Sequence, residues 1–171
     1  MNRFMIVVNP DKDTDSTVTN RIQSYLEAHG AACMVRDVFH LESSDWEALK
    51  KEQFDCVLVL GGDGTLLRMA GETEDIDIPL FGINLGTVGF LTEGEVANIE
   101  EILDRLLTDD FTIEERMMVT GTVTKADGTT YRKSALNDIV ISRAGFSRLI
   151  GLNVSVDGQV LDTYEADGVV I

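Results

Sequence analysis

Apolar residues run along this chain in two different rhythms. Up to about residue 110, short apolar runs alternate with amphipathic segments. Beyond it the helical period disappears and extended runs punctuated by turn dipeptides take over. Residues 4–9, 54–60 and 79–84 are nearly continuous apolar stretches, the pattern of strands buried on both faces, and 31–35 reads as a shorter strand. Between the first two strands, Val18, Ile22, Tyr25, Leu26 and His29 fall on one helical face. Pro10 stops the strand before that helix, Asp15 or Ser16 is placed to cap it, and Gly30 to end it. Ser43-Ser44-Asp45 opens a short helix through Trp46 and Leu49, with Trp46 read as a packing anchor. A last helix carries Ile99, Ile102, Leu103, Leu106 and Leu107. Strand and helix in alternation predict an α/β domain with a mostly parallel sheet over residues 1–110.

The remainder, residues 111–171, reads as strands at 112–124, 129–134, 137–142, 149–156 and 159–164. Asp127-Gly128 and Asp157-Gly158 each lie between extended runs, the signature of hairpins. This is an antiparallel all-β unit. The chain stops at Ala166-Asp167-Gly168-Val169-Val170-Ile171, in the middle of an apolar strand. The expectation is therefore that the β domain is incomplete, the chain being a fragment or lacking a partner element, since a buried strand ending in its own carboxylate is costly.

Charge narrows the partners. With 14 basic and 30 acidic residues the net charge is −16, which argues against nucleic acid and against an anionic membrane surface. A small anionic ligand remains compatible, because local N–H groups, a few cations and a divalent metal can hold it inside a negative overall field. No apolar run approaches a membrane span, and the amino terminus has neither the apolar length nor the cleavage site of a secretory signal, so a cytoplasmic protein is expected. Cys33 and Cys56 sit in apolar runs and read as buried thiols. His29 and His40 are the only histidines, which leaves little room for histidine-centred catalysis.

The chemistry concentrates where the apolar run 54–60 meets Gly61-Gly62-Asp63-Gly64-Thr65. Glycines at the end of a buried strand allow a tight turn with bare backbone, and the segment Leu66-Leu67-Arg68-Met69-Ala70 can open a helix whose amino end favours an anion. A strand, a glycine turn and a helix make a phosphate site. Asp63 is the odd member, because a carboxylate repels phosphate unless it takes a proton from a hydroxyl or helps hold a metal. A second glycine-rich turn, residues 85–93, follows the strand that ends at Asn84, so both turns belong at the same sheet edge, where open α/β sheets bind ligands. Two classes compete for these residues. One is phosphoryl transfer, with Asp63 as proton acceptor and Arg68 returning toward the ligand. The other is a nucleotide-binding module in which Asp63 only holds a ribose hydroxyl. Neither a P-loop nor a GxGxxG fingerprint is present. Asn137 and Asp138 can hydrogen-bond sugar hydroxyls or simply form an Asx turn. Phe90 can stack on a base or sit in the core. Arg148 reads as a surface residue and Asp167 as a turn residue.

GGDGT after a buried strand, FGINLGTVGFLTE, ALNDIVIS and a closing ADGVVI together resemble the NAD kinase family, across nearly the whole chain. GGDG alone is shared with diacylglycerol and sphingosine kinases. The GINLGTVGFL and NDIVI elements make the resemblance specific. It implies transfer of the γ-phosphoryl of ATP, or of inorganic polyphosphate, to the 2′-hydroxyl of the adenosine ribose of NAD, with Mg²⁺ on the phosphates and no dedicated metal cage in the protein. By resemblance Asp63 is the proton acceptor, with Gly61, Gly62, Gly64, Thr65 and Asn84 around the nucleotide and Arg68 at a basic contact. Phe90 matches an aromatic packed on adenine, Asn137 and Asp138 an Asn-Glu pair on the dinucleotide, and Arg148 a further contact. Asp167 matches an acidic residue near adenine that can reach a neighbouring subunit, which implies a homo-oligomer. Asp138 is one methylene shorter than the commoner Glu, Glu165 stands where some members carry a base, and the family continues past DGVVI into a Thr-, Ser- and Gly-rich segment. The site is expected between the two domains. The alternatives are a lipid kinase using the same GGDGT, which requires an apolar acceptor pocket, and a dinucleotide-binding module without turnover.

Overall fold

The computed structural model describes residues 1–51, 53–86, 89–145 and 149–171. It divides into two compact units, Met1–Arg116 and Met117–Ile171.

The first unit is built on a five-stranded parallel sheet in the order β2-β1-β3-β4-β5. Its strands are β1 (Arg3–Val8), β2 (Ala32–Asp37), β3 (Cys56–Gly61), β4 (Leu80–Asn84) and the two-residue β5 (Gly94–Glu95). Four helices connect or follow them: α1 (Thr17–Ala28), α2 (Ser43–Lys51), α3 (Asp63–Glu72) and α4 (Ile99–Leu107), the last preceded by a 3-10 turn at Val96–Asn98. Period-two alternation within the apolar runs sorts the side chains between two cores. Phe4 and Ile6 of β1, and Cys56, Leu58 and Leu60 of β3, pack with Ile22 and Leu26 of α1 and Ile99, Leu103 and Leu106 of α4. Met5, Val7, Val57 and Val59 face the opposite way, against Leu49 of α2 and Leu66 and Met69 of α3, with Trp46 packed alongside. Helices therefore cover both faces, which is why β1 and β3 are written as unbroken apolar runs. Each fully buried Leu, Ile, Val, Phe or Met here contributes about 1.5–3 kcal/mol.

Some local details depart from expectation. Ser16 occupies the α1 cap position in a left-handed conformation, φ 57°, and makes no side-chain capping bond. The buried Asp13 does that work instead: it accepts from the Val18 and Thr19 amides at 3.1 and 2.8 Å and from the Thr19 hydroxyl at 2.5 Å. Asp15 adds one bond, from the Thr17 amide at 3.1 Å. The helix α3 continues through Gly71 and Glu72, and the short β5 follows the segment 85–93 that was read as a turn.

The second unit holds three two-stranded antiparallel ladders: β6 (Val119–Thr124) with β7 (Thr130–Ala135), β8 (Val140–Ser142) with β11 (Gly168–Val170), and β9 (Ile150–Val156) with β10 (Gln159–Ala166). Both turn dipeptides behave as read. Gly128 takes φ 84°, and Asp157 and Gly158 take 51° and 77°, the paired positive values of a tight hairpin. Residues 112–118, expected as the start of a long strand, are outside any strand. The closing strand β11 is not buried: Val170 and Ile171 remain 64% and 65% exposed. A mostly parallel sheet with helices followed by small antiparallel sheets is the architecture the apolar rhythm predicted.

Candidate functional site

The order 2-1-3-4-5 places a topological switch point between β1 and β3, where the connections leave in opposite directions. Ligands of such sheets settle outside the carboxyl ends of those two strands. A cleft of about 260 Å³ lies there, lined by Asn9 and Lys12 after β1, by Val38 and Phe39 after β2, and by Gly62, Asp63, Gly64, Thr65 and Arg68 after β3.

The β3 side is a strand running straight into a helix. Gly62 caps α3 in extended conformation, and its carbonyl accepts from the Thr65 and Leu66 amides at 2.9 and 3.1 Å. The first N–H groups of a helix have no intrahelical acceptor, so this end offers donors and positive potential to the cleft. The glycines have separate reasons. A Cβ on Gly61 would overlap the Thr65 side chain, so Gly61 allows α3 to start directly against the strand. A Cβ on Gly64 would meet nothing within 4 Å, so this position is open to a ligand.

The β1 side supplies a cation that sequence reasoning missed. The Asn9 carbonyl turns the chain back by accepting from the Lys12 and Asp13 amides at 3.0 and 3.3 Å, and the buried Asp13 anchors that turn to α1. Lys12 is thereby carried across the glycine turn. Its ammonium nitrogen lies 2.7 Å from where a Gly62 Cβ would stand and 3.8 Å from the corresponding point at Gly86. Opposite, the Arg68 guanidinium stacks 5.8 Å above the Phe39 ring. Among the described residues no carboxylate forms an ion pair with either cation. Asn9 Nδ2 makes a long contact, 3.5 Å, to the Thr65 hydroxyl. Asn84, at the end of β4, is buried and accepts from the Gly86 amide at 2.8 Å, which shapes the second glycine turn.

Asp63 lines the cleft but its carboxylate is engaged. Oδ2 accepts from the Phe90 amide at 2.8 Å, while Oδ1 accepts from the Leu91 and Thr92 amides at 3.1 and 3.2 Å and from the Thr92 hydroxyl at 3.3 Å. These donors, the Phe90 amide foremost, hold the carboxyl below its ordinary value against an opposing desolvation. Asp63 is therefore an anion at neutral pH and a weak base in this arrangement. An ionised carboxylate has room for about four donors, and among the described residues Oδ2 accepts from one, which leaves a lone pair for an incoming hydroxyl. Phe90 is fully exposed, which excludes the core role.

The other predicted residues lie in the second unit. Asn137 and Asp138 are exposed and precede β8 rather than forming its start. Asp167 sits between β10 and β11, its carbonyl accepting from the Arg143 amide at 2.9 Å. In the β8–β11 register Gly168 faces Ser142 and Val170 faces Val140, with Ile139 bonded to Ile171 beyond them. Asn137 and Asp138 thus adjoin one end of this ladder and Asp167 the other, roughly 16 Å apart along five residues of strand. Arg148 lies outside the described residues. His29 stacks on Tyr25 and His40 contacts Asp37, and neither lines the cleft. Burial pushes the Cys33 thiol to about 11 and the Cys56 thiol to about 12, so neither is a nucleophile at neutral pH. Among the described residues no three His, Cys, Asp or Glu side chains converge to hold a metal, and no helix is long and apolar enough to cross a membrane.

Comparison with known proteins fits this geometry. The sequence model of the ATP-NAD kinase N-terminal domain matches residues 4–111, all of the parallel-sheet unit's secondary structure but the first residue of β1. The chain belongs to the NAD kinase family. It is 41% identical to the NAD kinase of Lachnoclostridium phytofermentans over 175 residues, covering 100% of this chain and 61% of that protein. It is 39% identical to the NAD kinase of Lachnospira eligens over 176 residues, with 60% of that protein covered. The chain thus spans about three fifths of the length of these curated NAD kinases. The crystal structure of yeast NADH kinase complexed with NADH superposes on 99% of the chain and 57% of its own, with a TM-score of 0.76 at 19% identity, and so shares the fold.

Proposed function

We propose that the intact protein transfers the γ-phosphoryl group of ATP to the 2′-hydroxyl of the adenosine ribose of NAD, giving NADP and ADP. The observation that carries this reading is the cleft at the β1/β3 switch point, in a chain of this family, where bare amides, two cations and one carboxylate meet. Lys12, Arg68 and the first amides of α3 neutralise and orient the polyphosphate. Asp63 accepts the 2′-hydroxyl proton at Oδ2 as the ribose oxygen bonds to the γ-phosphorus and the bond to the β-phosphate bridging oxygen breaks. In this reading Mg²⁺ would arrive on the phosphate oxygens and would supply charge neutralisation there. Phe90, Asn137, Asp138 and Arg148 contact the dinucleotide in this reading, and Asp167 serves a neighbouring subunit of a cytoplasmic homo-oligomer. Its separation along the strand from Asn137 and Asp138 supports that last assignment.

The test uses protein extended to the length of its relatives, given ATP with NAD, NADH or diacylglycerol as acceptor. Phosphorylation of the dinucleotide is expected. Product from the lipid alone would replace this reading with that of a lipid kinase. NAD binding without product would leave a binding module.

A further inference from the structure

The contact between Asp63 and residues 90–92 is unusual for a proton acceptor. A group meant only to take a proton needs a free lone pair, yet this carboxylate accepts from three successive backbone amides and one hydroxyl of a segment 27 to 29 residues away. Successive N–H groups converging on one anion form a backbone nest, and here the anion is supplied by the chain itself. The neighbouring residue is built for it. A Cβ on Gly89 would fall inside the Asp63 carboxylate, closer to its Oδ1, Cγ and Oδ2 than any real side chain stands. The absence of a side chain at Gly89 is what this approach requires.

The latched segment has a second feature. Phe90, whose amide makes the 2.8 Å bond to Oδ2, projects a fully exposed ring. An aromatic ring left in water on a backbone tied down at three adjacent amides gains nothing in the folded chain by itself. It is a pre-positioned apolar face for a planar ligand. The amides of this segment are held by the residue at the amino end of α3 that also lines the phosphate cleft.

We infer that Asp63 latches the turn bearing Phe90 to the phosphate cleft, so that one carboxylate couples the grip on the dinucleotide's ring to the place of phosphoryl transfer. The inference rests on the proposed function for the identity of the ligand but not for the latch. Asp63 then acts as a positioning residue for NAD in addition to its role at the hydroxyl, and Gly89 becomes a determinant of NAD affinity without touching the reacting atoms.

Gly89→Ala expels the carboxylate from the amides while leaving it in the protein. In the intact protein this variant is expected to raise KM for NAD about tenfold and to lower kcat less than Asp63→Asn does, since the carboxylate is displaced and not lost. Hydrogen exchange at the Phe90, Leu91 and Thr92 amides should accelerate in Gly89→Ala and in Asp63→Asn alike. Thr92→Val, which removes only the hydroxyl contact, guards against a folding artefact and should raise KM about twofold. Unchanged exchange at these amides overturns the latch. Faster exchange with an unchanged KM, or a loss confined to kcat, overturns the coupling. If the unsubstituted protein phosphorylates no dinucleotide, the proposed function fails, and the exchange measurement still decides the latch.

Discussion

The two units differ most in what they bury. In the first, β3 is buried along its entire length and helices cover the sheet on both sides. In the second, no described residue is buried, and Val123, Tyr131, Val156, Val160, Leu161 and Tyr164 are all at least 45% exposed. Hydrogen-bonded ladders and well-formed hairpins exist there without a core. The cleft containing Asp63, Lys12 and Arg68 is mounted on the first unit, so its geometry is held by packed side chains at strand and helix ends. The candidates Asn137, Asp138 and Asp167 are mounted on exposed ladders, where backbone register alone positions them. The cleft thus has a packed frame of its own, whereas the candidates of the second unit stand on ladders in which no described residue is buried.

The comparison breaks most readily in the core. Leu58→Ala should cost about 2–5 kcal/mol of the first unit's stability, read as a lower denaturant midpoint, whereas Leu161→Ala should change it by less than about 0.5 kcal/mol. Equal losses would show that the second unit is packed in solution. Next comes the cation of the β1 loop. Lys12→Ala should raise KM for ATP about ten- to a hundredfold and leave KM for NAD nearly unchanged, as expected for a charged contact to phosphate alone. Asp13→Ala removes the bonds that start α1 and should cost about 1–2 kcal/mol. It should weaken ATP binding less than Lys12→Ala, because it loosens the loop without deleting the charge.

The smallest effect is one of pH. The Asp63 carboxyl lies below its ordinary value because the amides of 90–92 bind its anion, chiefly that of Phe90. A depressed carboxyl contributes its stabilisation fully above the ordinary value of 3.8 and loses it as pH falls through the lower folded value. Amide protection at residues 90–92, corrected for intrinsic exchange, should therefore be flat from neutrality down to about the ordinary value of 3.8, fall between there and the lower folded value, and level off below it.

Much of the first unit was legible because its signals are local. Unbroken apolar runs at 4–8 and 56–60 require burial on both faces, and a glycine turn after such a run belongs at the carboxyl edge of a sheet. What escaped was tertiary. Lys12 reads as one charge in a polar loop, and becomes part of the site only because β1 and β3 are neighbours with Gly62 beneath its ammonium. Asp13 caps α1 from three residues before the cap position, outside the usual sequence signal. The bond from Asp63 to residues 90–92 joins two glycine-rich turns whose shared edge was foreseen but whose contact was not. In the second unit the Asp-Gly hairpins were plain, since both need positive φ. Residues 112–118 lie in no ladder: of the seven only Thr112 and Ile113 favour a strand, and Glu114, Glu115, Arg116, Met117 and Met118 do not.

The central claim is that Asp63, at the amino end of α3, takes the proton of the ribose hydroxyl. The most direct measurement is turnover of ATP and NAD by the intact protein with Asp63→Asn, at saturating NAD so that the latch does not enter. Loss of the carboxylate should lower kcat by about two to four decades. A kcat within about threefold of the unsubstituted protein would contradict the claim, since a positioned base is worth far more than that.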